Sequence, residues 1–186
     1  MARINPIDPG MAEGKAKILL DGVQQRFGMI PNMMRTIAHS PAVLDAYLGF
    51  GKALGAGTLD APLREQIALT VAGANSCDYC AAAHTAIGST LGLDGRELSA
   101  NLNSFSSNPK VEAALVFAGR IVVERGWVSD EDMQRVRDAG YTDGEIVEII
   151  AVVALNTFSN YFNHIAQAEI DFPPVGIGES AGQPSI

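Results

Sequence analysis

Apolar positions along this chain recur every three to four residues, and its glycines and prolines fall mostly between the recurring stretches. That period is helical. It predicts helices over 11–27, 31–39, 41–55, 61–74, 76–91, 94–101, 109–125, 129–138 and 142–168, and no stretch alternates as a strand would. Pro41 after Ser40 and Pro62 after Ala61 suit first helical turns, where the N–H that proline lacks has no intrahelical acceptor anyway. Gly88 would let a neighbouring helix come close. The expected fold is therefore all-α, a compact multi-helix single domain over 1–186. The Pro- and Gly-rich run from Phe172 to Ile186 reads as an extended arm or disorder. Glu65, Ala74 and His84 recur at one constant offset as Glu145, Ala154 and His164, with Thr157 and Asn160 where the cysteines would fall. That echo fits either a structural duplication or helical periodicity alone.

Composition narrows the classes. The chain has 186 residues, 47% hydrophobic and 18% charged, enough for one well-filled core. Lys and Arg number 13 against 21 Asp and Glu, and the resulting net charge of −8 is interrupted by no basic cluster. Nucleic acid and anionic membranes are thus not expected partners. The run Met1–Gly10 has no apolar core of a leader, and the longest apolar run, Ile149–Leu155, is too short to cross a bilayer, so a soluble, cytoplasmic protein is expected. The chain's two cysteines, Cys77 and Cys80, are too close in sequence to staple a fold, and their value must lie in reactivity or ligation.

At about 100° per residue, Cys77, Cys80 and His84 fall at roughly 0°, 300° and 340°, a stripe about 60° wide. A dithiol and an imidazole then share one helix face. With Ser76 as the cap, both cysteines would lie in the first turn, where free backbone N–H groups and the helix dipole favour a thiolate. His84, one turn past Cys80, could accept its proton or stabilise its anion. Redox chemistry is the reading this pattern favours. A zinc site is the rival, since Cys-x-x-Cys with a histidine supplies three ligands, although a continuous helix presents them in a line rather than around a tetrahedron. Haem attachment needs His directly after the second cysteine, where Ala81 stands, and a thioredoxin-type site needs a preceding strand. No cofactor or metal is expected to be required.

Other residues carry weaker signals. His39, just before Pro41, reads as a surface or capping histidine. His164 shares a face with Asn160, Thr157 and Tyr161, as a core group or as part of a pocket lining. Met29, Met33 and Met34 read as adaptable packing or an apolar lining. Asp130, Glu131 and Asp132 follow a cap at Ser129 and read as a solvated first turn.

The run from Glu65 to His84, with Glu65, Cys77-x-x-Cys80 and His84 in this spacing, resembles the alkylhydroperoxidase D-like group of the carboxymuconolactone decarboxylase family. The resemblance is closest over about 41–125, and the helix bearing Asn156, Asn160 and His164 looks like the C-terminal extension of peroxidase-related members. It implies an all-α fold with the cysteine pair at a helix start, a homo-oligomer, and an enzyme: a thiol peroxidase or disulfide reductase acting on hydroperoxides, with a peroxiredoxin or another dithiol as electron donor. It also implies Glu65, Cys77, Cys80 and His84 as the catalytic set, with Cys80 forming the sulfenic acid, Cys77 resolving it, and Glu65 orienting or charging His84. The residues alone do not tell the two sulfurs apart. One departure matters. Where alkylhydroperoxidase D has a relay histidine before the second cysteine, this chain has Tyr79, and a phenol titrating near 10 cannot carry protons as an imidazole does. Decarboxylases of the family lack the pair, and decarboxylation needs no dithiol. A non-catalytic redox-sensing or zinc-binding module is the alternative.

Overall fold

The computed structural model describes residues 2–175. Among these are helices α1 (Gly14–Phe27), α2 (Asn32–Ile37), α3 (Pro41–Gly55), α4 (Ala61–Ala74), α5 (Asp78–Thr90), α6 (Gly95–Asn101), α7 (Pro109–Val123), α8 (Asp130–Asp138) and α9 (Asp143–Ala166), and no strand. The all-α expectation holds. Where prolines and side-chain caps mark a start, the expected boundaries fall within a residue: Asp60 accepts from Leu63 N–H at α4, and Ser129 with Asp132 and Thr142 with Glu145 form capping boxes at α8 and α9. The first helix was expected from 11. Instead Asp8 caps a separate 3₁₀ turn, Pro9–Met11, and Gly14, at φ +55°, restarts the chain as α1.

α4 is the central helix. Its residues 66–72 are all buried, so it is apolar nearly all round, as a helix enclosed by others must be. One face joins Leu69 and Ala72 to a cluster with Leu20, Ile37 and Leu44 and with both cysteines. The other joins Ile67 and Val71 to Leu115, Val136 and Ile149 from α7, α8 and α9. The polar residues α4 brings inside are paired: Gln66 donates to Glu97 (3.0 Å) and Thr70 to the Asn101 carbonyl (2.8 Å). The apolar run Ile149–Leu155 is the middle of α9, whose 24 residues are by length and composition alone sufficient to cross a membrane. Here Ile149, Val152 and Val153 are buried against the second cluster as core.

The sequence echo is not a duplication. Glu65 pairs with His84, whereas Glu145 closes a capping box, and the turn between α4 and α5 has no counterpart in the unbroken α9. Phe172 and Val175, in the stretch expected as an extended or disordered arm, lie in irregular backbone and pack on the first cluster, because an aromatic and a branched residue there find an apolar surface to cover. The rest of that expected arm, 176–186, lies outside the described residues.

Two glycines permit close approaches. A Cβ on Gly88 would lie 2.5 Å from Leu98 of α6, and one on Gly73 only 1.9 Å from the Leu102 carbonyl oxygen. The second obstacle is backbone and cannot swing aside. Gly73→Ala is accordingly expected to destabilise the fold by about 3 kcal/mol or more, seen as a lowered urea midpoint; an unchanged midpoint would show that α4 and the 102 segment can separate freely.

Candidate active site

The cysteine pair is delivered by the way α4 ends. Ser76 takes a left-handed conformation (φ 54°), its N–H bonds the Gly73 carbonyl (3.0 Å) and the Cys77 N–H bonds the Ala72 carbonyl (2.9 Å). This paired closure of a helix C-terminus usually employs glycine at the left-handed position. Ser76 is therefore not the cap of α5, as expected from sequence, because it is spent ending α4. Cys77 is the N-cap, and its own side chain makes no capping bond. Cys80 then lies in the first turn of α5 and His84 one turn later. The two sulfurs are joined in a disulfide with Cα atoms 5.3 Å apart, and both residues are 2% exposed.

Glu65 comes from α4 to face His84, its Oε2 2.7 Å from the imidazole Nδ1, with both side chains about four-fifths buried. That bond fixes the ring and leaves Nε2 as the nitrogen open to other partners. A cavity of about 700 Å³ opens beside this pair. Cys80, Glu65 and His84 all line it, and Cys77 does not. The wall is mainly apolar, with Met29, Met33, Met34, Phe27, Leu155 and Phe172. Tyr47 adds a phenol whose pKa is raised to about 12, first by burial and then by the nearby Glu65 charge, with a Ser159 hydrogen bond opposing. It stays a neutral hydroxyl over the physiological range.

Tyr79 also lines the cavity but takes no part in the Glu65–His84 pair. Its hydroxyl accepts from the Met33 N–H (3.2 Å) and donates to Asp171 (2.8 Å), whose other oxygen accepts from the Asn32 N–H (2.6 Å). Burial above all, with the Asp171 bond and charge adding, pushes this phenol well above 10 and outweighs the opposing Met33 bond. Phe172 meets the Tyr79 ring edge-on at 5.8 Å. Tyr79, the residue just before Cys80, thus clasps the segment after α9 against α2, and it lines the cavity together with Phe172. Tyr79→Phe is expected to cost about 1–3 kcal/mol, since it leaves Met33 N–H and Asp171 with one partner fewer. Chemical denaturation measures it, and a loss below about 0.5 kcal/mol would mean that water replaces the hydroxyl.

Several residues of the site escaped the sequence. Asn163 of α9, 6% exposed, places its amide nitrogen 3.3 Å from Cys80 Sγ and 3.2 Å from Met33 Sδ. The cue was a row of asparagines, Asn156, Asn160 and Asn163, spanning roughly 60° of an otherwise apolar helix. Tyr47, Asp171 and Phe172 carried no comparable signal. His164 is neither core nor cavity lining: it is exposed and bonds the Asn75 carbonyl through Nε2 (2.9 Å), bracing the turn that presents Cys77. His39 is the surface histidine expected, Nε2 3.0 Å from the Asn5 carbonyl. Asp130 and Glu131 are exposed as expected, and the Ser129 cap holds the Asp132 carboxyl below its ordinary range. Among the described residues, no three His, Cys, Asp or Glu side chains converge as a metal site would need.

Residues 41–118 match the profile of the carboxymuconolactone decarboxylase family, a span that contains Glu65, Cys77, Cys80 and His84. Among solved structures, an uncharacterized peroxidase-related protein from Ralstonia eutropha JMP134, described as an alkylhydroperoxidase AhpD core, superposes with a TM-score of 0.83 at 24% identity, over 91% of this chain and 92% of its own. An uncharacterized peroxidase-related protein from Silicibacter sp. TM1040 gives 0.77 at 22% identity over 93% of each chain. The debrominase Bmp8, solved with 2,3,4-tribromopyrrole, gives 0.79 at 22% identity over 92% of each. At these identities the likeness is one of fold. No curated protein matches the sequence.

Proposed function

We propose that this chain, whose residues 41–118 match the carboxymuconolactone decarboxylase family, is a dithiol-dependent peroxidase or disulfide reductase whose substrate is an apolar organic hydroperoxide. The observation that carries this reading is the asymmetry of the disulfide. Cys80 faces the cavity beside the Glu65–His84 pair, and Cys77 sits behind it. In the reduced protein Cys80 attacks the terminal oxygen of the hydroperoxide and the O–O bond breaks, giving Cys80 sulfenic acid and an alkoxide. His84 takes the thiol proton and returns it to the alkoxide, with Glu65 holding the ring, so that one thiol and one hydroperoxide become one sulfenic acid and one alcohol. Cys77 then displaces hydroxide from the Cys80 sulfur, which leaves as water and restores the disulfide. A dithiol donor, from a peroxiredoxin or a similar partner, reduces it again.

The first-turn position of Cys80 supports a populated thiolate, and the apolar wall supports an alkyl or aryl group on the substrate. Kinetics with two oxidants test the substrate class: kcat/KM for cumene hydroperoxide should exceed that for hydrogen peroxide by about tenfold or more, through KM. Equal values would remove the cavity from substrate recognition. The debrominase neighbour makes brominated aromatics the second class to assay, since they too would enter an apolar cavity that ends at a thiol. The outer side of α9 supports a homo-oligomer. Val147, Ile150, Phe158, Tyr161 and Ile165 are exposed on one stripe roughly 80° wide, an area suited to a second copy of the chain. Sedimentation at micromolar concentration should show an oligomer, and a monomer would contradict this.

A further inference from the structure

The Asn163 amide nitrogen donates to two sulfurs, Cys80 Sγ (3.3 Å) and Met33 Sδ (3.2 Å), while its Oδ1 is buried with no hydrogen-bond partner among the described residues. The orientation follows from chemistry. Neither a disulfide sulfur nor a thioether can donate, so only the amide nitrogen can face them. In this oxidised form the arrangement is poorly rewarded. Neutral sulfur is a weak acceptor, and a buried amide oxygen without a partner is costly. The balance changes when the disulfide opens. A thiolate at Cys80 is a strong, charged acceptor, and the bond from Asn163 then becomes charge-assisted. An interaction that is weak to the neutral sulfur and strong to the anion lowers the thiol pKa.

We propose that Asn163 is the residue that stabilises the Cys80 thiolate, its amide held in place by Met33 Sδ. The inference rests on the reading of Cys80 as the reacting thiol. It assigns to α9 a direct part in the chemistry that the Cys-x-x-Cys helix alone does not supply. His84 lies one turn along the helix that carries Cys80, lining the same cavity, and Glu65 bonds His84 rather than the sulfur. Asn163 approaches from another helix, in contact with the sulfur itself. Met33, on α2, sets the amide angle, and so ties the Cys80 environment to the segment that Tyr79 and Asp171 clasp.

The test uses the full-length Cys77→Ser protein, in which Cys80 is the single thiol, and follows iodoacetamide alkylation against pH. With Asn163 present, the apparent pKa should lie below about 8.5, the value of a free cysteine. Adding Asn163→Leu should raise it by about one unit, and alkylation at pH 7 should slow about tenfold. Asn163→Asp, which sets a carboxylate beside the sulfur, should raise it further, and Asn163→Gln, which keeps a donor, should recover part of the loss. Met33→Leu should produce a smaller shift in the same direction. Unchanged pKa values in the Leu and Asp variants would overturn the proposal. Should the Leu variant fail to fold, Asp and Gln variants with the same pKa would overturn it equally, and a higher value for Asp would sustain it. The assay contains no peroxide. A shifted pKa in a protein that does not turn over hydroperoxide would sink the peroxidase reading and leave the role of Asn163 standing.

Discussion

Cys77→Ser, treated with one equivalent of hydroperoxide, should hold a sulfenic acid on Cys80 that a dimedone-type probe captures, because no second thiol remains to condense with it. Turnover with a dithiol donor should fall by about 10³-fold or more, while the first oxidation stays fast. Cys80→Ser should lose both, leaving Cys77 buried behind the cavity and slow to react. The two variants therefore differ in kind, one stalled after the first step and the other never entering it. Capture of the sulfenic acid on Cys77 in the Cys80→Ser protein, at a rate like that of Cys80, would reverse the roles assigned to the sulfurs. Intact-mass spectrometry after a brief pulse of cumene hydroperoxide reads all of these outcomes.

His84→Ala should lower the rate of Cys80 oxidation by about 10²–10⁴-fold, the usual range for a lost acid–base group. The rate should also come to depend on pH through the Cys80 thiol alone, rising with pH until the thiolate forms unaided. Glu65→Gln keeps an oxygen that the imidazole can bond at 2.7 Å but removes the charge. Its loss should be smaller than that of His84→Ala, and in the double variant nearly absent, because Glu65 acts through the ring. Single-turnover oxidation of the pre-reduced proteins, followed by stopped flow across pH, measures both. Additive losses in the double variant would mean that Glu65 acts on the substrate independently of His84.

Much of this site is local, and what is local was legible. The helical period, Pro41, Pro62 and the Ser129 cap fixed where α3, α4 and α8 begin, since each rests on bonds made within a few residues. Cys80 and His84 share a face because one helix turn separates them. The pairing of Glu65 with His84 followed from a family's spacing, since no periodicity relates residues on different helices. The failures have a common cause. Ser76 was expected to cap α5, but the choice between ending one helix and starting the next depends on a left-handed turn that serine seldom adopts. Asp171 and Phe172 joined the site through contacts spanning more than ninety residues, to Tyr79 and beyond, and a short Pro-rich tail gave no sign of them. His164 looked like a core group from its neighbours on the helix, yet its partner is the carbonyl at the end of α4.

Repeated turnover of the dithiol is what distinguishes an enzyme from a sensor or a metal site. The direct measurement is a hydroperoxide assay on purified wild-type protein coupled to a dithiol reductant, with metal content determined on the same sample. Many cycles per molecule are expected, with a Cys77–Cys80 disulfide after each oxidation and no dependence on zinc. A single oxidation equivalent that changes the assembly state and then stops would make the protein a sensor. Stoichiometric zinc with thiols inert to peroxide until a chelator is added would contradict the peroxidase reading altogether.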